Sequence, residues 1–193
     1  MPLNIPNLLT WFRILLIPVF LGVFYLPDTM ISVHRMHQVS TLIFALAAIT
    51  DWLDGYLARA LNQTSAFGAF LDPVADKLMV AAALIFLVHL GHVNLVVTFI
   101  IIGREIAISA LREWMAQLGK GKGIAVSMLG KIKTTFQMIA ILLLLYNEPL
   151  FGLPTHTIGT VLIYLAALLT LWSMAYYLML ALPQIVHKQH EEN

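Results

Sequence analysis

Long apolar stretches alternate with short polar or turn-forming connections along the whole chain. Each stretch approaches the ~20 residues that a helix needs to cross a bilayer, and the breaks between them are rich in Gly, Pro and Asn. The pattern predicts six transmembrane helices, over 8–26, 39–60, 71–90, 93–117, 124–146 and 158–182. We therefore expect an all-α integral membrane protein that forms a single domain over residues 1–193. The polar tail from His187 to Asn193 is expected to be disordered.

The composition supports a membrane protein and excludes several other classes. Hydrophobic residues make up 60% of the chain and charged residues 11%, whereas soluble domains have about 45–50% and about 25%. The formal net charge of +1 is too small for a protein that binds nucleic acid, so no nucleic-acid partner is expected. Because the chain has no cysteine, disulfides and thiolate metal sites are excluded.

The basic residues predict the orientation in the membrane, because Lys and Arg concentrate on the cytoplasmic side. With the N-terminus inside, Arg35 is the one basic residue of the 11 that falls in an outward-facing connection. The others lie in or towards the cytoplasmic half. The sequence therefore predicts a multi-pass protein with both termini in the cytoplasm.

Four aspartates flank the connection between the second and third predicted helices: Asp51, Asp54, Asp72 and Asp76. By insertion scales, each ionised Asp at a helix centre costs about 2.5–3.5 kcal/mol, and less near the interface. Only two basic side chains lie near the aspartates in the sequence, so other cations must neutralise the carboxylates. Hard divalent cations bind carboxylate oxygens well. We infer a metal site.

The spacing of the aspartates places each pair on one side of its helix. Asp51 and Asp54 lie within about 60° of each other at 100° per residue. Gly55 and Ala58 share this face, and their small size leaves a groove where a ligand can approach the backbone. The other two aspartates are four residues apart, again on one face. Paired metal ions beside a groove favour chemistry on a phosphate ester at the cytoplasmic membrane surface.

A simpler alternative assigns two of these carboxylates to helix capping. Asp51 and Asp72 can each act as an N-cap, and Pro73 is a good first helical residue. Capping leaves Asp54 and Asp76 unexplained.

The aspartate motif resembles the signature of the CDP-alcohol phosphotransferases. The matching residues are Asp51, Asp54, Gly55, Ala58 and Arg59, then Gly68, Asp72 and Asp76. Similarity extends over most of the chain. It includes Asn4 to Thr10 with Arg13, Arg104 with Glu105, Leu111 to Met115, and Gly130 to Thr134. These wider matches resemble family members that use sn-glycerol 3-phosphate as the acceptor.

The resemblance implies a fold and a reaction. The family has six transmembrane helices, forms homodimers, and transfers a phosphatidyl group from CDP-diacylglycerol to an alcohol with release of CMP. It implies two divalent cations, Mg²⁺ or Mn²⁺, and an active site at the cytoplasmic side of the bacterial inner membrane. The expected role is phospholipid biosynthesis, with CDP-diacylglycerol, sn-glycerol 3-phosphate, membrane lipid and a second copy of the chain as partners.

By position, the resemblance also implies residue roles. The metal ligands would be Asp51, Asp54, Asp72 and Asp76, with Asp76 also the general base for the attacking hydroxyl. The residues near CDP-diacylglycerol would be Gly55, Ala58, Arg59, Ser65 and Gly68, with Asn7 and Thr10 closing the nucleotide pocket. The acceptor phosphate needs a cationic pocket of its own. Its candidates are Arg104, Arg112, Lys131 and Lys133. Glu105 lies on nearly the same helical face as Arg112, with which it can pair.

Three alternatives remain at this point. A relative with another acceptor, such as an inositol phosphate, serine or phosphatidylglycerol, would share the aspartate motif because that motif handles the common donor. A cation or proton transporter predicts acidic residues near mid-membrane and two similar halves, which this chain lacks. A prenyltransferase would lack the glycine, alanine and arginine spacing.

Two histidine pairs, His34/His37 and His89/His92, are interpreted as interface residues of the outward-facing side.

Overall fold

The computed structural model describes residues 5–27, 29–61, 66–117 and 128–191. These residues form six α-helices and, apart from one isolated bridge between Leu150 and Leu153, contain no β-structure. The helices are α1 (Ile5–Val23), α2 (Val33–Ala60), α3 (Ala66–His89), α4 (Leu95–Gln117), α5 (Met128–Tyr146) and α6 (Thr155–Glu191). The prediction of an all-α fold is confirmed for these residues, and every predicted span has its helix.

The start of α3 decides the capping alternative. The helix begins at Ala66 rather than at residue 71, so Asp72 and Pro73 lie inside it. Asp51 likewise lies within α2, which ends at Ala60. Neither aspartate is an N-cap, and the capping interpretation is wrong.

Of the other helix ends, the start of α2 and the end of α6 lie furthest from the prediction. α2 begins at Val33 instead of residue 39 because Ser32 caps it, with its side chain accepting a hydrogen bond from the backbone N–H of Arg35. α6 continues to Glu191, so the tail predicted to be disordered from His187 is helical up to that residue.

Among the residues that the structure describes, two helical stretches have the length and apolarity of a membrane crossing, Val33–Ala58 and Thr155–Ala175. Asn7–Val23 and Ile132–Tyr146 are apolar but shorter. Polar side chains inside α2 bond to their own helix, as when Ser40 Oγ donates to the Met36 carbonyl at 2.6 Å. Such bonds satisfy hydroxyl groups where water is absent.

The helices pack around one apolar core. α1 packs against α2 and α3, and α5 against α6, while α4 contacts α3 and α6. Phe20, Phe44 and Leu84 are among the fully buried core residues. α5 and α6 approach closely at Gly159, where an added Cβ atom would lie 2.8 Å from Leu144 Cγ. A small residue at this point lets the two backbones come together.

Histidines gather near the N-terminal end of α2, away from the aspartates at its other end. His37 is buried, and its Nδ1 lies 2.8 Å from the Leu145 carbonyl oxygen near the end of α5. His92 Nδ1 lies 3.3 Å from the Leu144 carbonyl, and the two rings are 5.9 Å apart. The interface interpretation is therefore wrong for His37, which packs inside the bundle and bonds to α5.

Candidate active site

The end of α2 and the first turns of α3 carry the four aspartates, and α1 packs against both helices. The guanidinium of Arg13 bridges two of the carboxylates: its Nη1 lies 2.6 Å from Asp51 Oδ1, and its Nη2 donates to Asp54 Oδ2. α1, the end of α2 and the start of α3 thus meet at one end of the bundle. The Asp54 side chain is buried here, whereas that of Asp51 is 45% exposed.

A cation for the aspartates comes from a distant part of the chain. Only two basic side chains lie near the aspartates in the sequence, whereas Arg13, which contacts Asp54, precedes it by 41 positions. Its side chain is only 1% exposed. The structure therefore supplies one neutralising charge from α1, and Arg13 is a site residue that the sequence analysis did not assign.

The third aspartate is also held by α1. The hydroxyl of Thr10 donates to Asp72 Oδ1 over 2.5 Å. Thr10 and Arg13 are three residues apart and share one face of the helix. A single face of α1 therefore contacts Asp51, Asp54 and Asp72.

The donor atoms available here are those that a hard divalent cation prefers, because carboxylate oxygens are ligands for Mg²⁺ and Mn²⁺. Asp51, Asp54 and Asp72 each have one oxygen in contact with α1 and a second oxygen besides it. Within the described parts of the chain, no three acidic or histidine side chains converge on one cation position. The carboxylate oxygens are chemically suited to a divalent cation. In this structure, Asp51 and Asp54 contact the guanidinium of Arg13 instead.

Of the small residues beside the aspartates, Gly55 borders open space. A Cβ atom added at Gly55 would meet no heavy atom of another part of the described structure within 4 Å. Ala58 is half-buried and Gly68 is buried, as are Asn7 and Thr10 of α1. Ser65 and the side chain of Arg59 lie outside the described residues.

A polar pocket of about 150 Å³ adjoins the aspartates. Its lining comes from α3, α4 and α5: Asp76, Lys77, Arg104, Glu105, Ser109, Lys133 and Thr134. Asp76 also lines a narrow gap that Arg13 borders. Asp76 thus lies at the boundary between the acidic cluster and a pocket with three basic side chains.

Hydrogen bonds and ion pairs order the pocket. Lys133 is 2% exposed, and its Nζ lies 3.9 Å from Glu105 Oε1. The same oxygen accepts a hydrogen bond of 3.2 Å from Gln137 Nε2. On the α6 side, Arg104 Nη2 donates to Ser173 Oγ over 3.1 Å.

The comparisons with known proteins agree with this arrangement. Residues 3–172 match the family described as CDP-alcohol phosphatidyltransferase. The chain belongs to this family. The matched region includes all of α1 to α5 and most of the apolar part of α6. The resemblance based on the aspartate motif is therefore confirmed.

Several relatives of this family member are similar over nearly their whole length, and each is called CDP-diacylglycerol–glycerol-3-phosphate 3-phosphatidyltransferase. The protein from Salmonella typhimurium is 52% identical over 180 residues, which cover 92% of this chain and 94% of the relative. The one from Haemophilus influenzae is 51% identical over 185 residues, covering 94% and 95%. The one from Shigella flexneri is 51% identical over 180 residues, covering 92% and 94%.

Two of the four basic residues expected to bind the acceptor, Arg104 and Lys133, line the polar pocket of this CDP-alcohol phosphatidyltransferase. The side chains of Arg112 and Lys131 lie outside the described residues. Glu105, which the sequence pairs with Arg112, contacts Lys133 and Gln137 of α5 in the structure.

Four uncharged polar residues of the pocket and its surroundings were not predicted: Ser109, Thr134, Gln137 and Ser173. The basic Lys77 was not predicted as a pocket residue either. Ser109 and Gln137 each follow a pocket residue by four positions, so helical spacing could have identified them. Thr134 is adjacent to Lys133 in the chain. Nothing in the sequence links Ser173 to Arg104, because the contact depends on how α6 packs against α4.

Proposed function

We propose that the protein transfers the phosphatidyl group of CDP-diacylglycerol to sn-glycerol 3-phosphate, producing phosphatidylglycerophosphate and CMP for phospholipid biosynthesis. The position of Asp76 is the observation that carries this proposal. It lies between a cluster of carboxylates and a basic pocket, in a family of phosphatidyltransferases. Relatives about half identical to the chain bear the name of this reaction.

On the donor side, we assign two divalent cations, Mg²⁺ or Mn²⁺, to Asp51, Asp54, Asp72 and Asp76. When bound, the cations supply the positive charge that stabilises a diphosphate and its leaving CMP. The open space beside Gly55 supports close approach of the donor to α2. The other donor contacts belong to Ala58, Arg59, Ser65, Gly68, Asn7 and Thr10 in this proposal.

On the acceptor side, Arg104 and Lys133 bind the phosphate of sn-glycerol 3-phosphate, together with Arg112 and Lys131. An arginine offers two parallel N–H donors to a phosphate, and a lysine offers a compact charge. The pocket of about 150 Å³ is smaller than the roughly 300–1,000 Å³ of sites for drug-sized ligands. Its size supports a small polar acceptor over a lipid such as phosphatidylglycerol.

Asp76 accepts the proton of the attacking hydroxyl in this proposal. A general base must lie within hydrogen-bond reach of the proton it removes. Asp76 lines the pocket assigned to the acceptor and lies beside the carboxylates assigned to the donor. It therefore has access to both reactants, whereas the other three aspartates do not line the acceptor pocket.

The proposed setting is the bacterial inner membrane. Six helices cross the bilayer, both termini and the active site face the cytoplasm, and two copies form a homodimer. The six helices of the described chain support this arrangement, as do the two stretches that are long and apolar enough to cross and the single basic residue of the outward-facing connections.

An assay with a panel of acceptors tests the function. Purified protein in detergent receives CDP-diacylglycerol, Mg²⁺ or Mn²⁺, and one alcohol at a time, and lipid product and CMP are identified by mass spectrometry. Product is expected with sn-glycerol 3-phosphate and is lost with a chelator. Product with a different alcohol alone would overturn the acceptor assignment, and absence of CMP with every alcohol would overturn the reaction.

Asp76→Asn tests the proton acceptor. Turnover should be abolished while metal-dependent binding of CDP-diacylglycerol remains measurable. Glu148→Gln is the matched control, since Glu148 pairs with His34 at the far end of α2. Turnover near that of the unsubstituted protein would remove Asp76 from this role.

A further inference from the structure

One face of α1 contacts three of the four aspartates. Arg13 Nη1 lies 2.6 Å from Asp51 Oδ1, and Arg13 Nη2 donates to Asp54 Oδ2. One turn earlier, Thr10 Oγ1 donates to Asp72 Oδ1 over 2.5 Å. Both α1 side chains are about 1% exposed, so the α1 partner in each of these contacts is buried.

The contacts use one oxygen of each carboxylate. A carboxylate has two oxygens and about four sites that accept hydrogen bonds or metals, so a side chain held through one oxygen can still present the other to a cation. Groups that bond metal-binding side chains from outside in this way fix the direction in which the ligand atoms face.

We propose that Arg13 and Thr10 are positioning residues that set the orientation of Asp51, Asp54 and Asp72 for divalent cations. The inference rests on the proposed function, in which these aspartates hold metal. It adds a role for α1: the helix fixes the geometry of the metal ligands through their other oxygens.

The direction in which metal affinity changes when Arg13 is replaced distinguishes positioning from two other roles. If Arg13 acted only as a positive charge, its removal would strengthen cation binding, because a like charge near the site would disappear. If it acted only in packing, the folded variant would bind metal as the unsubstituted protein does. Positioning predicts weaker metal binding, since outer partners of metal ligands typically contribute about 10–100-fold in affinity.

Binding of Mn²⁺ alone to the full-length protein in detergent tests the proposal, with free Mn²⁺ measured by electron paramagnetic resonance. Arg13→Gln is expected to raise the dissociation constant of Mn²⁺ at least about tenfold, and Arg13→Lys to recover part of the loss. Thr10→Val keeps shape and charge and should also weaken binding. Arg35→Gln, at an exposed arginine of the first turn of α2, is the matched control and should bind normally.

Melting temperatures recorded on the same samples identify variants that do not fold. If Arg13→Gln fails to fold, Arg13→Lys and Thr10→Val still decide the question. Unchanged or tighter Mn²⁺ binding in the folded variants would overturn the role of α1 and leave the proposed function intact. If the unsubstituted protein neither binds Mn²⁺ nor requires a divalent cation for product formation, the metal assignment itself fails.

Discussion

Lys133 on α5 and Glu105 on α4 face each other at the polar pocket, with 3.9 Å between the lysine Nζ and the glutamate Oε1. Gln137 donates to the same glutamate oxygen, so Glu105 is held from two positions of α5. A buried ammonium needs a partner, because an unpaired buried charge is costly. Glu105 therefore pairs with the Lys133 side chain and holds it in place at the pocket.

Replacing Lys133 should weaken the acceptor site selectively. Hydrogen bonds to charged groups contribute about 1.5–3 kcal/mol, so Lys133→Gln should raise the KM for sn-glycerol 3-phosphate by about 10–100-fold. The KM for CDP-diacylglycerol should stay the same. Steady-state kinetics with each substrate varied in turn provide the measurement, with Arg35→Gln as the control. An unchanged KM for the acceptor would contradict the assignment of Lys133.

Ser173 should act through Arg104. Ser173→Ala removes the acceptor of the 3.1 Å bond from Arg104 Nη2 and should raise the acceptor KM by about tenfold, the equivalent of about 1.4 kcal/mol. Thr170→Val is the matched control one turn earlier on α6, because the Thr170 hydroxyl has no hydrogen-bond partner among the residues that the structure describes. Equal kinetics in the two variants would show that the contact does not matter for the acceptor.

Gly55→Ala should separate folding from donor binding. No heavy atom outside its own stretch of helix lies within 4 Å of an added Cβ, and alanine favours a helix by up to about 1 kcal/mol over glycine. The melting temperature should therefore stay the same or rise, while the KM for CDP-diacylglycerol increases. Gly103→Ala, whose added Cβ also meets open space, should keep the normal KM. A normal donor KM in Gly55→Ala would mean that the donor does not approach α2 there.

Gly159→Ala should destabilise the packing of α5 on α6. The new methyl carbon would lie 2.8 Å from Leu144 Cγ and 3.2 Å from the Ala140 carbonyl oxygen. Overpacking of this kind costs about 1–3 kcal/mol, so the melting temperature in detergent should fall. Here, too, Gly103→Ala is the control. A melting temperature equal to that of the control would mean that α5 and α6 move apart to accommodate the methyl group with no loss of stability.

Stability should depend on pH through His92, which lies in the connection between α3 and α4. Burial lowers the pKa of His92, and the neighbouring His156 and His37 lower it further, while the bond to the Leu144 carbonyl acts in the opposite direction. The unfolded chain, with a histidine pKa of about 6.5, then binds protons before the folded protein does. The contribution of His92 to stability is therefore present above about pH 6.5 and lost as the pH falls towards the lower folded-state pKa.

Melting temperatures between neutral and mildly acidic pH test this dependence. The decline with falling pH should be smaller in His92→Gln than in the unsubstituted protein. An identical decline in both would assign the acid sensitivity to other groups.

Much of the fold could be predicted because its signals are local. Runs of apolar residues identified all six helices, and the aspartate motif identified the family. Boundaries were harder: Pro73 resembles a first helical residue, yet α3 begins at Ala66. A proline near the start of a helix forfeits one hydrogen bond, and the sequence alone does not show whether packing offsets that loss.

The contacts between distant segments could not be predicted. Arg13 with Asp54 and Arg104 with Ser173 join residues that are 41 and 69 positions apart. Each depends on which helices are neighbours and how they are rotated, and apolar periodicity does not determine either. Sequence patterns therefore identified the residues of the motif, but not the distant residues that contact them, such as Arg13.

The pairing of Arg13 with α2 has a consequence for biogenesis. In the proposed membrane arrangement, α1 is synthesised and enters the bilayer before α2 exists. An arginine within an apolar helix costs up to about 2.5–3.5 kcal/mol on insertion scales, and less near the interface. The contacts with Asp51 and Asp54 offset that cost once α2 is present. α2 thus supplies the carboxylates that stabilise Arg13 of α1. Until α2 has been synthesised, α1 lacks both carboxylate partners of Arg13, so we expect it to be held less firmly in the lipid on its own.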